Sequence, residues 1–596
     1  MALEGFRGST SSLLDKELNP KSATSIIDQE VEDVKAYIRA LWKRRNTFAP
    51  VSRLPPEILS RIFDIVRDRV VSGFSYRPLE WTRVGHVCHQ WRQVALNSPC
   101  LWAKPALSHK LWTEEMLQRS RMASLTISAN FKSTISGRRD SLTASLALAT
   151  PHASRIKMLE LVSEYPSRDS LQNFLSQIPQ SMPRLECLIV NYDSIAGINS
   201  AEGGLSIVHV LEADRLYRLE LTRCAVNWDS QIFGPKLVHL KLVSIPVAAR
   251  PTALQFLEAL SRAPALETIE LRDSLPLKRH SGHTSTPSKI FFHNLRCLAM
   301  TASNTEADNF FNLVSFPAST VVRLICKGET TAEDQFRDVL AHASGFSSAT
   351  GSDPGFKIRT LEVQIQYPSN GHLNQFRTFS SVASDIDVAL GTAAPNLDLV
   401  LQTNERPSRQ LVQLFCNAMP LTNLVRLSLR NVTFLSPVAL AETFGVLPNL
   451  RSVSVFGDFA YNFVLALQEV RPINTASTKA EVIPLYFHSV RSISLSNVTF
   501  DDNDLTFEML QDCLMWRYEC GAEIRELKLT ECSRLEWDSV ELLREIVVNV
   551  DWDEIESGFT ESECEDDAIW DADSYDDYGA GYYDTDDEAD LYGLFW

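Results

Sequence analysis

A short pattern of apolar and polar positions recurs along most of the chain: apolar-x-x-apolar-x-apolar. Clear copies stand at residues 216–221, 237–242, 266–271, 424–429, 450–455, 490–495 and 524–529, and less regular copies begin at residues 156, 185, 295, 321 and 358. Alternation of apolar and polar residues indicates a strand with one buried face. Copies mostly begin about 20–30 residues apart, as in arrays that repeat one structural unit. The long gap after residue 358 predicts a degenerate copy near Leu397.

Segments between these strands have helical patterns. Thr252 and Gln255 form a possible capping box ahead of apolar residues at helical spacing, and Pro264 ends the segment. A strand, a helix and a second strand in the same direction form a right-handed unit, and such units stack because none buries its apolar face alone. We therefore predict an α/β solenoid over residues 151–550. An ordinary α/β domain with short alternating strands is the alternative.

Two copies extend to L-x-x-L-x-L-x-x-C, ending at Cys224 and Cys532, and the pattern resembles the leucine-rich repeat. The resemblance implies an irregular horseshoe whose concave face carries the polar positions of each strand. We predict that this face binds a target protein, although these side chains could simply be solvated. The predicted target-binding residues are Arg218, Glu220, Thr268, Glu270, Arg272, Arg426, Arg430, Glu526 and Lys528.

Near the N-terminus, LPPEILSRIF (54–63) predicts a helix that starts at its prolines, because the first helical N–H groups need no partner. Apolar residues from Ile58 to Val66 share one face of it. A second amphipathic helix is predicted from about Trp81 to Asn97, followed directly by Trp102. A unit this small buries only about 60% of its surface. Its apolar side chains must therefore be covered by the rest of the chain or by a partner.

The stretches LPPEILSRIF, VCHQWRQVA and SPCLW together resemble an F-box, and RNTFAPVSR (45–53) resembles the lead-in of mushroom-type fungal F-box proteins. The resemblance implies docking onto a Skp-type adaptor and, through it, a cullin–RING ubiquitin ligase. By motif position, the residues expected to meet the adaptor are Leu54, Pro55, Glu57, Ile58, Leu59, Ile62 and Phe63. Cys88, Trp91 and Trp102 are expected to share or support the same apolar surface.

An amphipathic helix precedes this module. Ser25 and Asp28 suggest a capping box at its start, and five apolar residues follow at alternating spacings of four and three: Ile27, Val31, Val34, Ile38 and Leu41. We interpret the helix as packed on its own protein, with a short coiled coil as the alternative. The predicted organisation is a disordered N-terminus (1–23), this helix (24–50), the F-box (51–105), a helical linker (106–150), the solenoid (151–550) and a disordered acidic tail (551–596).

The charge of the chain is unevenly distributed. The chain has 75 acidic and 57 basic residues, and residues 551–596 hold eighteen of the acids and no Lys or Arg, so the remainder is balanced (75 − 18 = 57). Because no basic domain remains, nucleic acid is not an expected partner.

No run approaches the ~20 apolar residues of a membrane helix. Scattered cysteines and the polar N-terminus lead us to expect an intracellular protein, cytoplasmic or nuclear, with reduced thiols.

A search for catalytic motifs finds no phosphate loop, dinucleotide fingerprint, zinc motif or nucleophile elbow. His86 and His89 are one turn apart, but we interpret them as ordinary surface residues. We therefore predict no catalytic residue, metal or cofactor. The predicted function is substrate recognition in an SCF-type cullin–RING E3 ubiquitin ligase. The alternatives are a scaffold that acts outside ubiquitination, a plain repeat-built binding protein whose first helices cap the solenoid and, weakest, an enzyme.

Overall fold

The computed structural model describes residues 20–72, 78–131, 136–164, 168–193, 204–207, 212–276, 289–317, 319–327, 358–366, 374–381, 396–403, 409–419, 421–471, 485–501 and 505–554. The predictions of disorder for the N-terminus and the acidic tail fall almost wholly outside these ranges. The helices are α1 Pro20–Asn46, α2 Pro56–Ser72, α3 His89–Leu96, α4 Lys110–Arg119, α5 Ser136–Ala149, α6 Arg168–Gln177, α7 Ala253–Ser261, α8 Asn304–Leu313, α9 Arg409–Ala418, α10 Pro437–Phe444, α11 Ala460–Gln468, α12 Phe507–Glu519 and α13 Trp537–Ile546.

The strands are mostly short and are spread over the whole chain from residue 125 onward. They are β1 Leu125–Asn130, β2 Ile156–Glu164, β3 Cys187–Asp193, β4 Leu205–Ile207, β5 Arg218–Thr222, β6 Cys224–Val226, β7 His239–Val243, β8 Thr268–Arg272, β9 Ile290–Phe291, β10 Cys297–Ser303, β11 Val314–Ser315, β12 Val321–Lys327, β13 Thr360–Gln366, β14 Asn374–Ser381, β15 Leu397–Thr403, β16 Arg426–Arg430, β17 Ser452–Phe456, β18 Ser492–Ser496, β19 Glu526–Thr530 and β20 Asn549–Trp552.

One large sheet runs through the protein. Its order is β1-β2-β3-β5-β7-β8-β10-β12-β15-β14-β13-β16-β17-β18-β19-β20, with every neighbouring pair parallel except the two that involve β14. Two small parallel pairs, β4 with β6 and β9 with β11, lie beside it. The predicted fold class is thereby confirmed: an N-terminal helical module is followed by a repetitive α/β array.

Alternation of residue types explains why the sheet has one buried and one polar face. In β5, Leu219 and Leu221 are fully buried between the more accessible Arg218, Glu220 and Thr222. The register repeats this pattern on neighbouring strands, so that apolar residues lie beside apolar residues from strand to strand. Helices cover the apolar face and form one continuous core with it. We call the opposite face the polar face.

The predicted capping box before α7 is present, with Thr252 accepting a hydrogen bond from the backbone of Gln255 and the Gln255 side chain returning to the Thr252 backbone. An equivalent box that the sequence analysis did not use, Ser303 with Glu306, starts α8. These reciprocal bonds satisfy N–H groups that would otherwise be unpaired at each helix start.

The middle of the array departs from the simple solenoid prediction. The degenerate copy expected near Leu397 exists as β15, which pairs in parallel with β12 and antiparallel with β14. The chain passes from β12 to β13, turns back through antiparallel β14 to β15, and then crosses to β16 beside β13. The strand order in space is therefore reversed for these three strands.

The prediction of a helical linker over 106–150 is wrong in part. Leu125–Asn130 forms β1, the first strand of the large sheet, which pairs with β2. Leu125, Ile127 and Ala129 are buried while Ser128 and Asn130 are exposed. This stretch has the period-two pattern of a strand, but Thr and Ser make it less apolar than the later copies. The sheet thus begins before residue 151.

Helix α1 also differs from its prediction. It begins at Pro20, so that Ser25 lies inside the helix rather than at its cap. The apolar residues Ile27, Val31, Ile38 and Leu41 are exposed, which contradicts the interpretation that α1 packs on its own protein within the described residues. In the part of the chain that the structure describes, no helix is long and apolar enough to cross a membrane.

Candidate functional site

Residues 54–116 form a helical module with its own apolar core, separate from that of the sheet. Its aromatic rings contact one another, with centroids 5.1 Å apart for Phe63 and Trp91 and 5.1 Å for Trp81 and Trp102. The indole nitrogen of Trp102 donates to the carbonyl oxygen of Ala95 at 2.8 Å. The buried core consists of Leu59, Phe63, Trp81, Val84, Val94, Ala95, Leu101, Trp102, Trp112 and Met116.

Arg67, on α2, binds the 3₁₀ segment Pro99–Trp102 that follows α3. Its guanidinium donates to the carbonyl oxygens of Cys100 and Leu101 at 2.8 and 3.0 Å and forms an ion pair with Asp68 at 2.9 Å. Burial alone would raise the pKa of Asp68, but hydrogen bonds from Lys104 and Arg67 outweigh it and lower that pKa. The segment carrying Leu101 and Trp102 is thereby held against α2.

The residues that the sequence assigned to adaptor contact separate into three groups by their exposure. Leu59, Phe63 and Trp102 are fully buried in the module, so in this structure they support its surface rather than form it. Trp91 and Cys88 are half-buried, as is Leu54. The remaining four, Pro55, Glu57, Ile58 and Ile62, are exposed.

Helix α2 has an apolar arc wider than the part that it buries. At 100° per residue, Leu59 and Phe63 point into the core, while Ile58, Ile62, Ile65 and Val66 fall on the adjoining arc. These last four side chains, which we call the α2 stripe, are 36–49% exposed. Sequence reasoning missed Ile65 because the motif did not include it, although its spacing of seven from Ile58 places it on the same face.

The second predicted helix of the module is broken in two. A 3₁₀ segment, Glu80–His86, precedes α3, and Cys88 between them is extended (φ −161°, ψ 167°). Trp81 and Val84 are both buried, and a separation of three residues places them on one face of a 3₁₀ helix, which has three residues per turn. The break leaves Val87 exposed beside the module.

The polar face of the sheet carries ion pairs between neighbouring strands. Glu220, Lys241 and Glu270 lie in register on three adjacent strands, and Lys241 contacts Glu270 at 2.8 Å. Arg218 donates to Glu220 at 2.6 Å, and His239 lies 3.3 Å from the same carboxylate. Burial lowers the pKa of His239 despite this carboxylate, which disfavours the charged imidazolium.

Further along the polar face, Arg430 contacts Glu362 at 3.0 Å and Lys528 contacts Asp551 at 3.0 Å. Arg377 on the reversed strand β14 donates twice to Asp398, at 3.0 and 2.8 Å. Sequence reasoning missed this pair because it requires the antiparallel β14, which no repeat pattern indicated.

The predicted target-binding residues all lie on the polar face, in two separated groups. Thr268, Glu270 and Arg272 on β8 belong with the β5 residues, whereas Arg426, Arg430, Glu526 and Lys528 lie on β16 and β19. Eleven strand steps separate β5 from β19 in the sheet, which corresponds to about 53 Å at ~4.8 Å per step. The arrangement is an extended charged surface rather than a pocket.

Among the described residues, no group of three or more His, Cys, Asp or Glu side chains could hold a metal ion. His86 is an exposed residue, and partial desolvation together with Arg92 and Arg83 lowers the pKa of its imidazole. The two surfaces differ in chemistry: one is an apolar stripe on α2, and the other is an array of paired charges on the sheet.

Comparison with protein families finds a match in the N-terminal part of the chain. A protein-family model described as F-box-like matches residues 51–108, which confirms the F-box prediction for this part of the chain. None of the curated proteins matches the sequence.

Two solved structures are distantly similar to the chain. The leucine-rich repeat-containing protein LegL7 from Legionella pneumophila is 11% identical with a TM-score of 0.24, covering 70% of this chain and 96% of that one. A TLR13–ssRNA13 complex is 13% identical with a TM-score of 0.25, covering 72% of this chain and 48% of that one.

Proposed function

We propose that this protein is the substrate-recognition subunit of an SCF-type cullin–RING ubiquitin ligase. Its F-box-like domain would bind a Skp-type adaptor through the α2 stripe, and the polar face of its sheet would bind the target. The observation that carries the proposal is the α2 stripe itself: four apolar side chains on one face of a single helix remain exposed.

Several features of the stripe suit a protein interface. Apolar side chains on adjacent turns of one helix form a continuous surface, and removing them from water on binding is favourable. The charged residues Glu57 and Arg61 lie on the same helix and are exposed. An apolar centre with a polar rim is the usual composition of a specific interface. The buried Leu59 and Phe63 fix the orientation of the helix that presents it.

The proposed mechanism is tethering. A target held on the polar face and an enzyme complex held on the F-box-like domain become parts of one assembly, so a target lysine meets the ubiquitin-loaded enzyme at a raised effective concentration. No side chain of this protein is assigned a chemical step. Target recognition is assigned to Arg218, Glu220, Thr268, Glu270, Arg272, Arg426, Arg430, Glu526 and Lys528 on the polar face.

Co-purification of the full chain with a Skp-type adaptor tests the first step. The double variant Ile58→Asp, Ile62→Asp should lose the adaptor, because two carboxylates would be desolvated in the interface. Leu111→Asp, which makes the same change at an exposed leucine on α4, is the matched control and should retain it. Circular dichroism of all three proteins verifies folding. If the double variant still binds the adaptor, the stripe is not its docking surface and the proposal fails.

Ubiquitination of bound proteins by the reconstituted ligase tests the second step. Ubiquitin transfer to a captured protein, lost with Ile58→Asp, Ile62→Asp, supports substrate recognition. Adaptor binding without transfer to any captured protein supports the scaffold alternative instead.

A further inference from the structure

Helix α1 has an apolar seam that the described part of the chain leaves uncovered. The seam consists of Ile27, Val31, Val34, Ile38 and Leu41, and four of these side chains are 38–51% exposed while Val34 is half-buried. Their alternating separations of four and three residues match the core positions of a two-stranded coiled coil. A second helix of the same spacing would cover the seam along its length.

The charges of α1 are divided between its two halves. Apart from Lys21, the charged residues of the first half are the acids Asp28, Glu30, Glu32 and Asp33, and those of the second half are the bases Lys35, Arg39, Lys43, Arg44 and Arg45. Two copies side by side in parallel would bring acids against acids and bases against bases. Two antiparallel copies that overlap along the seam instead bring acids of each helix close to the base Lys35 of the partner, which is favourable.

The seam fits the antiparallel arrangement in detail. In an antiparallel coiled coil, the a positions of one helix face the d positions of the other. This places Ile27 opposite Ile38 of the second copy and Val31 opposite Val34. In that register, the flanking Asp28 lies opposite Lys35, and symmetry makes this contact twice. The antiparallel pair therefore combines apolar layers with oppositely charged flanks.

The position of the F-box-like domain favours the same orientation. Only a short segment, including the 3₁₀ turn Pro50–Arg53, separates the end of α1 from α2. A helix of 27 residues is about 40 Å long at 1.5 Å per residue. Antiparallel helices would place the two F-box-like domains at opposite ends of this length, whereas parallel helices would crowd both at one end.

We propose that two copies of this protein associate through an antiparallel pair of α1 helices. This inference does not depend on the proposed ligase function, since it uses only α1 and the position of the domain that follows it. The resulting dimer would present two α2 stripes and two polar faces.

Sedimentation velocity of the full chain tests the association. The wild-type protein should be a dimer, and Ile38→Asp should be a monomer because it introduces a charge into the seam. Leu111→Asp, the same change on α4, should remain a dimer. Added salt should weaken the wild-type dimer, because it screens attraction between opposite halves. A wild-type monomer at all concentrations, or a dimer that Ile38→Asp does not affect, overturns the proposal.

Disulfide trapping tests the orientation. The sequence has no cysteine before Cys88, so thiols introduced into α1 are identified by peptide mapping. Ile27→Cys and Ile38→Cys, purified separately and mixed, should form a disulfide between the two different peptides under mild oxidation. A disulfide of Ile27→Cys with itself indicates parallel helices and overturns the antiparallel assignment. If wild-type protein is monomeric and Ile38→Asp loses the adaptor, the seam belongs to the adaptor interface instead, and self-association is overturned.

Discussion

Phe63 allows the folding role of α2 to be measured separately from its proposed binding role. The side chain is fully buried, and its ring contacts Trp91 in a core of ten buried residues. Replacing a buried phenylalanine by alanine costs about 3–5 kcal/mol, because apolar contacts are lost and a cavity remains. Since this core is separate from that of the sheet, we expect Phe63→Ala to destabilise the module without unfolding the repeats.

Amide hydrogen exchange resolves this difference, because it reports local opening segment by segment. A loss of about 3 kcal/mol raises the population of the open module by roughly 100-fold. Peptides from α2 and α3 should exchange faster by about that factor in Phe63→Ala, while peptides from β16 to β18 should keep their wild-type rates. Ile58→Ala, at an exposed position four residues into the module, should change protection by less than about 0.5 kcal/mol.

Two results would refute this reasoning. Unchanged protection of α2 in Phe63→Ala would mean that Phe63 is not part of the module core. Equal loss of protection in the module and in the sheet would mean that the two cores unfold as one unit.

Two further predictions concern buried groups in the repeats. Arg517 is fully buried and donates to the carbonyl oxygens of residues 467, 486 and 487. Arg517→Met should therefore lower the free energy of unfolding, measured by urea titration, by more than about 2 kcal/mol. Arg451→Met, at an exposed position, is the control, and equal unfolding midpoints for the two variants would contradict the role assigned to Arg517. Burial raises the pKa of Cys187 to about 11 and of Cys326 to about 12, which keeps both thiols protonated and unreactive at neutral pH. Alkylation followed by mass spectrometry should label the exposed Cys100 before Cys326, and labelling of both at the same rate would show that the core around Cys326 opens readily.

The sequence predicts those parts of the fold that depend on local periodicity. Leu219 and Leu221 are buried and Arg218 is exposed as alternation requires, and the capping box at Thr252 forms because its partners are three residues apart. The strand at Leu397 was also expected, from the length of the gap that precedes the next copy.

Features that depend on distant contacts could not be predicted in this way. The side-by-side position of β12 and β15 depends on which strand edges meet in three dimensions, and no residue spacing encodes it. The amphipathic pattern of this segment predicts one continuous helix. The chain nevertheless breaks at Cys88, because Trp81 and Val84 pack beneath α2. For the candidate site, the motif identified α2 correctly, but only the structure separates the buried Phe63 from the exposed Ile58.

The reversal of β13, β14 and β15 has a consequence for the order in which the protein can fold. Elsewhere in the array a strand meets a partner synthesised shortly before it; Thr268 on β8 and Cys297 on β10 are 29 residues apart (297 − 268). Val322 on β12 must wait for Leu397, 75 residues later (397 − 322), and contacts of such sequence separation form slowly. During synthesis, β1 to β12 can therefore assemble step by step, and then pause with an unpaired edge until β15 emerges. Shortened chains that end between residues 327 and 397 would keep the edge of β12 open, which favours aggregation.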